Sequence, residues 1–202
     1  MAHETPKRIY RNRLTTEQKL ISAVGDVLLN GTYRELTITH IAAVAGCHSK
    51  QIRSYFGSVG NLIEIYVRGR DFRASYLERL RTVCEAHPSR NAKKQIAAIL
   101  VDHFEYLLTE KQLKELLVWH LNDAKPFLKP LDDAREACFS EMLAPYQGAE
   151  TDKVDRKHLS MVVAGIYWSA VWIDRGYGTF FGLEISAEKT RFAVAKAVEL
   201  VC

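Results

Sequence analysis

Residues Thr37 to Phe56, TITHIAAVAGCHSKQIRSYF, decide the fold, because they read as two short helices joined by a tight turn. Ile38, Ile41, Ala42 and Ala45 recur at helical spacing. Thr37 stands where a side-chain oxygen caps the first free N–H groups, and Gly46 supplies the left-handed conformation that stops a helix. The chain then restarts at once. In CHSKQIRSYF the residues that look inward are Cys47, Ile52, Tyr55 and Phe56, which leaves Ser49, Lys50, Gln51, Arg53 and Ser54 outside. This pattern predicts a helix–turn–helix.

The second helix of such a unit enters the DNA major groove, whose width accepts one helix and whose floor shows a distinct donor and acceptor pattern for each base pair. Gln51 suits adenine, Arg53 or Lys50 suits guanine or phosphate, and Ser49 suits either. The plainer alternative is a helical hairpin with a solvated side. Such a side would carry more glutamate and would not need the tight Ala-Gly turn.

Charge placement agrees with a DNA-binding module. The chain has 202 residues and a net charge of only +4. Residues 1–58 hold eight Lys and Arg against four acidic residues, and the remainder holds twenty of each sign. All of the positive excess therefore lies with the helix–turn–helix, as phosphate neutralisation and counterion release require. Cys47, Cys84, Cys138 and Cys202 have no paired spacing and read as reduced core residues of a cytoplasmic protein. No apolar run is long enough to suggest secretion or a membrane span.

Outward from the motif the chain continues as helices. Residues 1–13 are basic, contain Pro6 and read as a flexible arm, one that can lie along DNA or simply fray. Thr15-Thr16-Glu17-Gln18 offers a capping box for a helix carrying Leu20, Val24, Val27 and Leu28 and ending at Asn30-Gly31. From Ser58 the apolar period persists through Leu62, Tyr66, Gly69, Phe72, Tyr76, Leu80 and Val83 to His87-Pro88, which predicts one long connecting helix. Further helical stripes run over 96–108, 113–121, 130–143, 159–174 and 187–201, with a polar segment at 147–153 and a loop, GYGTFFGLEIS, before the last. The expected class is all-α: a three-helix head at 1–58 for DNA, joined by the long helix to a larger helical-bundle body at 59–202 for ligand binding and dimerisation.

The run TYRELTITHIAAVAGCHSKQIRSYFGSVGNL resembles the TetR family of bacterial transcription repressors, with its Ile-Ala, its Ala-Gly turn, its short recognition helix ending in Phe and its Ser and Leu just beyond. The resemblance covers roughly residues 12–65. Arg53 stands where the family usually has a tyrosine, Val59 replaces a lysine and His48 replaces the usual capping serine. The resemblance implies that Thr37, Lys50, Gln51 and Tyr55 lie at DNA. It also implies a homodimer that a small-molecule effector releases from a palindromic operator.

No enzyme motif is present. The chain lacks His-Glu-x-x-His, Cys-x-x-Cys, Gly-x-Ser-x-Gly and a P-loop, and Gly176, Gly178 and Gly182 are not spaced as a dinucleotide fingerprint. Neither a metal nor a cofactor is expected, and Cys84 with His87 is a single pair at a helix end. For an effector, Phe104, Trp119, His120, Asp123, Phe139, Met142, Trp168 and Trp172 offer aromatic walls with few polar groups, which suits an apolar or aromatic molecule. The same residues, and His103 beside them, are equally readable as core. The stretch 159–173 is apolar all round, so it needs cover on more than one face. Leu159, Val162, Val163, Ile166 and Ala170, with Phe192, Val194 and Val198 of the last helix, are the expected four-helix dimer interface. The alternative function is an architectural or nucleoid-associated DNA-binding dimer with no effector.

Overall fold

Pro6 opens the first helix of the computed structural model, which describes residues 6–70, 72–87, 91–144 and 155–201. Helix α1 runs Pro6–Asn30. Within the expected arm, residues 1–5 lie outside the described residues, whereas the rest is helical. A proline suits the first helical position, where its missing N–H would have no intrahelical partner. Thr15 to Gln18 accordingly become helix interior, where Arg13 pairs with Glu17 at 2.8 Å.

After a single 3-10 turn at Tyr33–Glu35 come α2 (Ile38–Val44), α3 (Ser49–Phe56) and α4 (Val59–Gly69). The long connecting helix expected from Ser58 is two helices, because α4 stops at Gly69 and α5 begins at Phe72 (Phe72–Ala86). Glycine is the weakest ordinary helix former, and a Cβ added at Gly69 would meet nothing within 4 Å, so no tertiary contact there calls for the residue. The unbroken apolar period masked this stop.

Helices α6 (Ala92–Thr109), α7 (Lys111–Asn122), α8 (Lys129–Leu143), α9 (Arg156–Asp174) and α10 (Ala187–Val201) follow. The expected polar segment at 147–153 lies outside the described residues. The loop expected before α10 contains a small antiparallel hairpin, β1 (Thr179–Phe180) with β2 (Leu183–Glu184), in the register Thr179 to Glu184 and Phe180 to Leu183. Its two-residue turn puts Phe181 at φ 50° and Gly182 at φ 74°. Two successive left-handed residues match the right-handed twist of the strands. A phenylalanine at the first of them conceals the hairpin from a reading of the sequence.

The chain packs as two compact units, Met1–Asp71 with Glu115–Asp132, and Phe72–Lys114 with Asp133–Cys202. The boundary expected at residue 58 is therefore not where the chain divides: α4 stays with the head, and a later segment joins it. In the first unit α1 packs on α2 and α4, and α3 packs on both α2 and α4. Leu20, Val24, Leu28, Ile41, Ile52, Leu62 and Ile63 are fully buried there. In the second unit α6 lies against α5, α9 and α10, around Ile96, Leu100, Phe104 and Leu107.

Candidate nucleic-acid interface and effector site

The α2–α3 turn is fixed by its backbone. Thr37 Oγ1 accepts the His40 N–H at 3.2 Å and caps α2. At the other end Gly46 takes φ 63°, its N–H bonds the Ala43 carbonyl at 3.1 Å, and the Cys47 N–H bonds the Ala42 carbonyl at 2.9 Å. This pair of bonds is the Schellman closure that a left-handed glycine permits. Ile52 and Phe56 then anchor α3 in the core, while Ser49, Lys50, Arg53 and Ser54 are exposed and Cys47 and Tyr55 are half-buried.

Two of the residues expected at DNA are engaged within the chain itself. The Gln51 side chain accepts the His48 N–H at 2.8 Å, so it completes the α3 cap in place of the usual serine arrangement. The Tyr55 ring lies under the Arg13 guanidinium, 5.2 Å from its centroid, which adds a cation of α1 to the basic side of the head.

The eight residues expected to line one effector cavity are divided between the two units. Trp119, His120 and Asp123 belong to the head unit. Trp119 stacks on Tyr33 at 5.4 Å and meets Phe127 edge-on at 5.2 Å, and His120 Nε2 pairs with Asp132 at 2.7 Å. Asp123 is exposed and pairs with Lys125 at 2.6 Å. Beneath them the Glu115 carboxylate, only 1% exposed, accepts the Tyr33 N–H at 3.0 Å. The contacts of Glu115 and Trp119 with Tyr33 join residues 115–132 to the head, a role that no local spacing reveals because Tyr33 lies more than eighty positions away. Phe104 is plain core of the second unit, and the Met142 side chain lies outside the described residues. Trp168 and Trp172 form a surface ladder with Phe180 and Phe181, at centroid spacings of 5.8, 4.4 and 4.5 Å.

Within the second unit, Phe139 lies beside a buried histidine. His103, 5% exposed, is enclosed by Tyr76, Tyr167 and Phe139 at centroid distances of 5.0, 5.3 and 6.1 Å, all edge-on. Its Nε2 is 3.1 Å from the Tyr167 hydroxyl, and its Nδ1 is buried without a hydrogen-bond partner. Burial, helped by the nearby Arg79 charge, lowers the imidazole pKa from 6.5 to about 4, and burial raises both tyrosines well above their ordinary value. All three groups are therefore neutral at pH 7. Arg79 is itself held by Asp102 through two bonds of 3.1 and 2.7 Å. An open groove of about 420 Å³ lies elsewhere in this unit, floored by Val83, Ala97, Ala98, Val101 and Ala195, and none of the expected effector residues lines it.

The expected dimer residues are largely spent within the chain. Leu159, Val163, Ile166, Ala170, Val194 and Val198 are buried in the chain's own core, Val162 is half-buried, and Phe192 is 74% exposed. An all-round apolar helix does not say which face its own body will take. The outward stripe of α9 is Met161, Gly165, Trp168 and Trp172, and Met161 is 72% exposed.

Among the described residues no group of His, Cys, Asp and Glu is arranged to hold a metal ion, and no helix is long and apolar enough to cross a membrane. No protein-family model and no curated protein matches the sequence. Solved structures do match the fold. The fatty acid degradation regulator FadR from Bacillus halodurans superposes with a TM-score of 0.63 at 13% identity, covering 98% of this chain and 96% of that one. FadR from Bacillus subtilis, in complex with stearoyl-CoA, gives 0.61 at 17% identity over 90% of this chain and 96% of that one. A TetR-like transcriptional regulator from Rhodococcus sp. RHA1 gives 0.61 at 16% identity, covering 91% and 93%. The chain thus has the TetR-like, all-α fold of these regulators.

Proposed function

We propose that this chain is a cytoplasmic, homodimeric transcriptional repressor that binds an inverted-repeat operator through α3 and leaves it when a small apolar effector occupies the second unit. The observation that carries the reading is the α2–α3 turn. Its glycine closure and the buried Ile52 and Phe56 present Ser49, Lys50 and Arg53 outward on a rigid helix, which is the geometry that major-groove reading needs. The first unit, built around residues 1–58, supplies DNA recognition, and the second supplies effector binding and dimerisation. The dimer forms through Met161, Gly165, Trp168 and Phe192, the apolar face that the single chain leaves uncovered. That a FadR of this fold was solved with stearoyl-CoA supports an effector with a large apolar part.

Selection from random duplexes with the full chain tests the reading. An inverted repeat is expected, and Lys50→Ala or Arg53→Ala should weaken binding, with about 1–3 kcal/mol lost if a bidentate base contact goes. If no repeat is enriched for the wild type, sequence-specific repression is wrong.

A further inference from the structure

His103 has the one buried ring nitrogen in the second unit, among the described residues, that is left without a hydrogen-bond partner, and the direction of its other hydrogen bond fixes what that nitrogen needs. Nε2 and the Tyr167 hydroxyl share a single proton along their 3.1 Å contact. If Nε2 donated, the phenol proton would be stranded and the Nδ1 lone pair left bare as well. If the phenol donates, only Nδ1–H stays unmatched. Leaving one buried group unsatisfied costs less than leaving two, so the second arrangement prevails. His103 then carries a buried N–H donor with no acceptor.

Buried polar groups in native proteins are almost always paired, and an exception asks what completes it. The surroundings narrow the answer. Three edge-on rings give the site an apolar wall, and two of them, Tyr76 and Tyr167, are neutral phenols. Two guanidiniums bear on these rings, and both are paired: Arg79 with Asp102, and Arg135, whose charge reaches Tyr167, with Glu136 at 3.7 Å. A carboxylate here would lose its hydration and, among the described residues, meet only cations that already have carboxylate partners. A neutral oxygen acceptor loses little and gains the waiting N–H. Phe139 holds the most distant of the three rings and is half-buried, so it is the side from which a ligand can reach the imidazole.

Resting on the effector reading above, we infer that His103 is the polar anchor of the effector site and that the effector is an apolar molecule carrying an uncharged carbonyl, an ester, thioester, lactone or ketone, whose oxygen accepts the Nδ1–H bond. Phe139 moves aside to admit it, and Tyr167 fixes the tautomer as a positioning residue.

The test uses the full chain labelled with ¹⁵N in its histidines, titrated with methyl esters of six to sixteen carbons and with the matching carboxylates. The unliganded protein should show His103 protonated at Nδ1 at pH 7. Esters should bind and shift that resonance, with the carboxylates weaker by about tenfold or more. His103→Leu should lose ester affinity by a similar factor and abolish the ester preference. His103→Asn, whose amide N–H lies near the Nδ1 position, should retain part of both. Tyr167→Phe should mix the two tautomers. Protonation at Nε2 in the unliganded protein, equal binding of ester and acid, unchanged binding by His103→Leu, or no binding by any ester would each overturn the assignment. Release of the selected operator is read separately. Esters that bind at His103 without releasing it would refute the effector reading alone, and release by another molecule from wild type and His103→Leu alike would keep that reading and refute this site.

Discussion

Gln51 illustrates how a single side chain holds two possible duties. Its carbonyl oxygen closes the α3 cap on the His48 N–H, so a base contact by the same oxygen requires that bond to break. Gln51→Ala should therefore destabilise the head by about 1 kcal/mol even without DNA, a typical capping loss, while Gln51→Glu should preserve the cap. Thermal unfolding of the two variants checks this. His103 makes a different prediction. Its pKa is about 4 in the folded chain against 6.5 unfolded, so between those values the unfolded state binds the extra proton. Stability is then fully present above about pH 6.5 and falls as pH drops toward 4, by on the order of 3 kcal/mol. Denaturant titrations across that window should show the slope, and His103→Leu should flatten it.

Among the elements, the α2–α3 turn was legible because its signals are local. Thr37, Gly46 and the apolar spacing lie within one turn of the groups they satisfy. Gly46 sits at φ 63° with open space around a hypothetical Cβ, so Gly46→Ala costs backbone strain and nothing else, about 1 kcal/mol. A loss well above that in equilibrium unfolding would mean the turn is also held by contacts. The end of α4 and the small hairpin were illegible for related reasons. Gly69 falls within an apolar period that continues beyond it, and Phe181 takes a left-handed φ that its residue type does not advertise.

At the scale of the whole molecule, the uncovered face of α9 and α10 bears on assembly. Met161 and Phe192 are largely exposed in the single chain, so charges placed there leave the core intact. Met161→Lys with Phe192→Glu should give a folded monomer at micromolar concentration by sedimentation, against a wild-type dimer. A wild-type monomer would refute the interface. The dimer should also set its two α3 helices about 34–36 Å apart when both enter successive major grooves, the spacing that half-site separation in the selected operator would report.

The sequence by itself determined the all-α class, the helix–turn–helix and the concentration of positive charge on the head, since each depends on neighbours three or four positions apart or on simple placement along the chain. Only the tertiary structure decided which side of each apolar helix faces its own core. It sent Trp119 to packing and His120 to a contact with Asp132 in the head unit, gave Leu159, Ile166 and Val198 to the chain's own interior, and closed three rings around His103. The physical reason is that a helix period records that a residue is buried, whereas the partner that buries it comes from distant elements whose meeting no local pattern encodes.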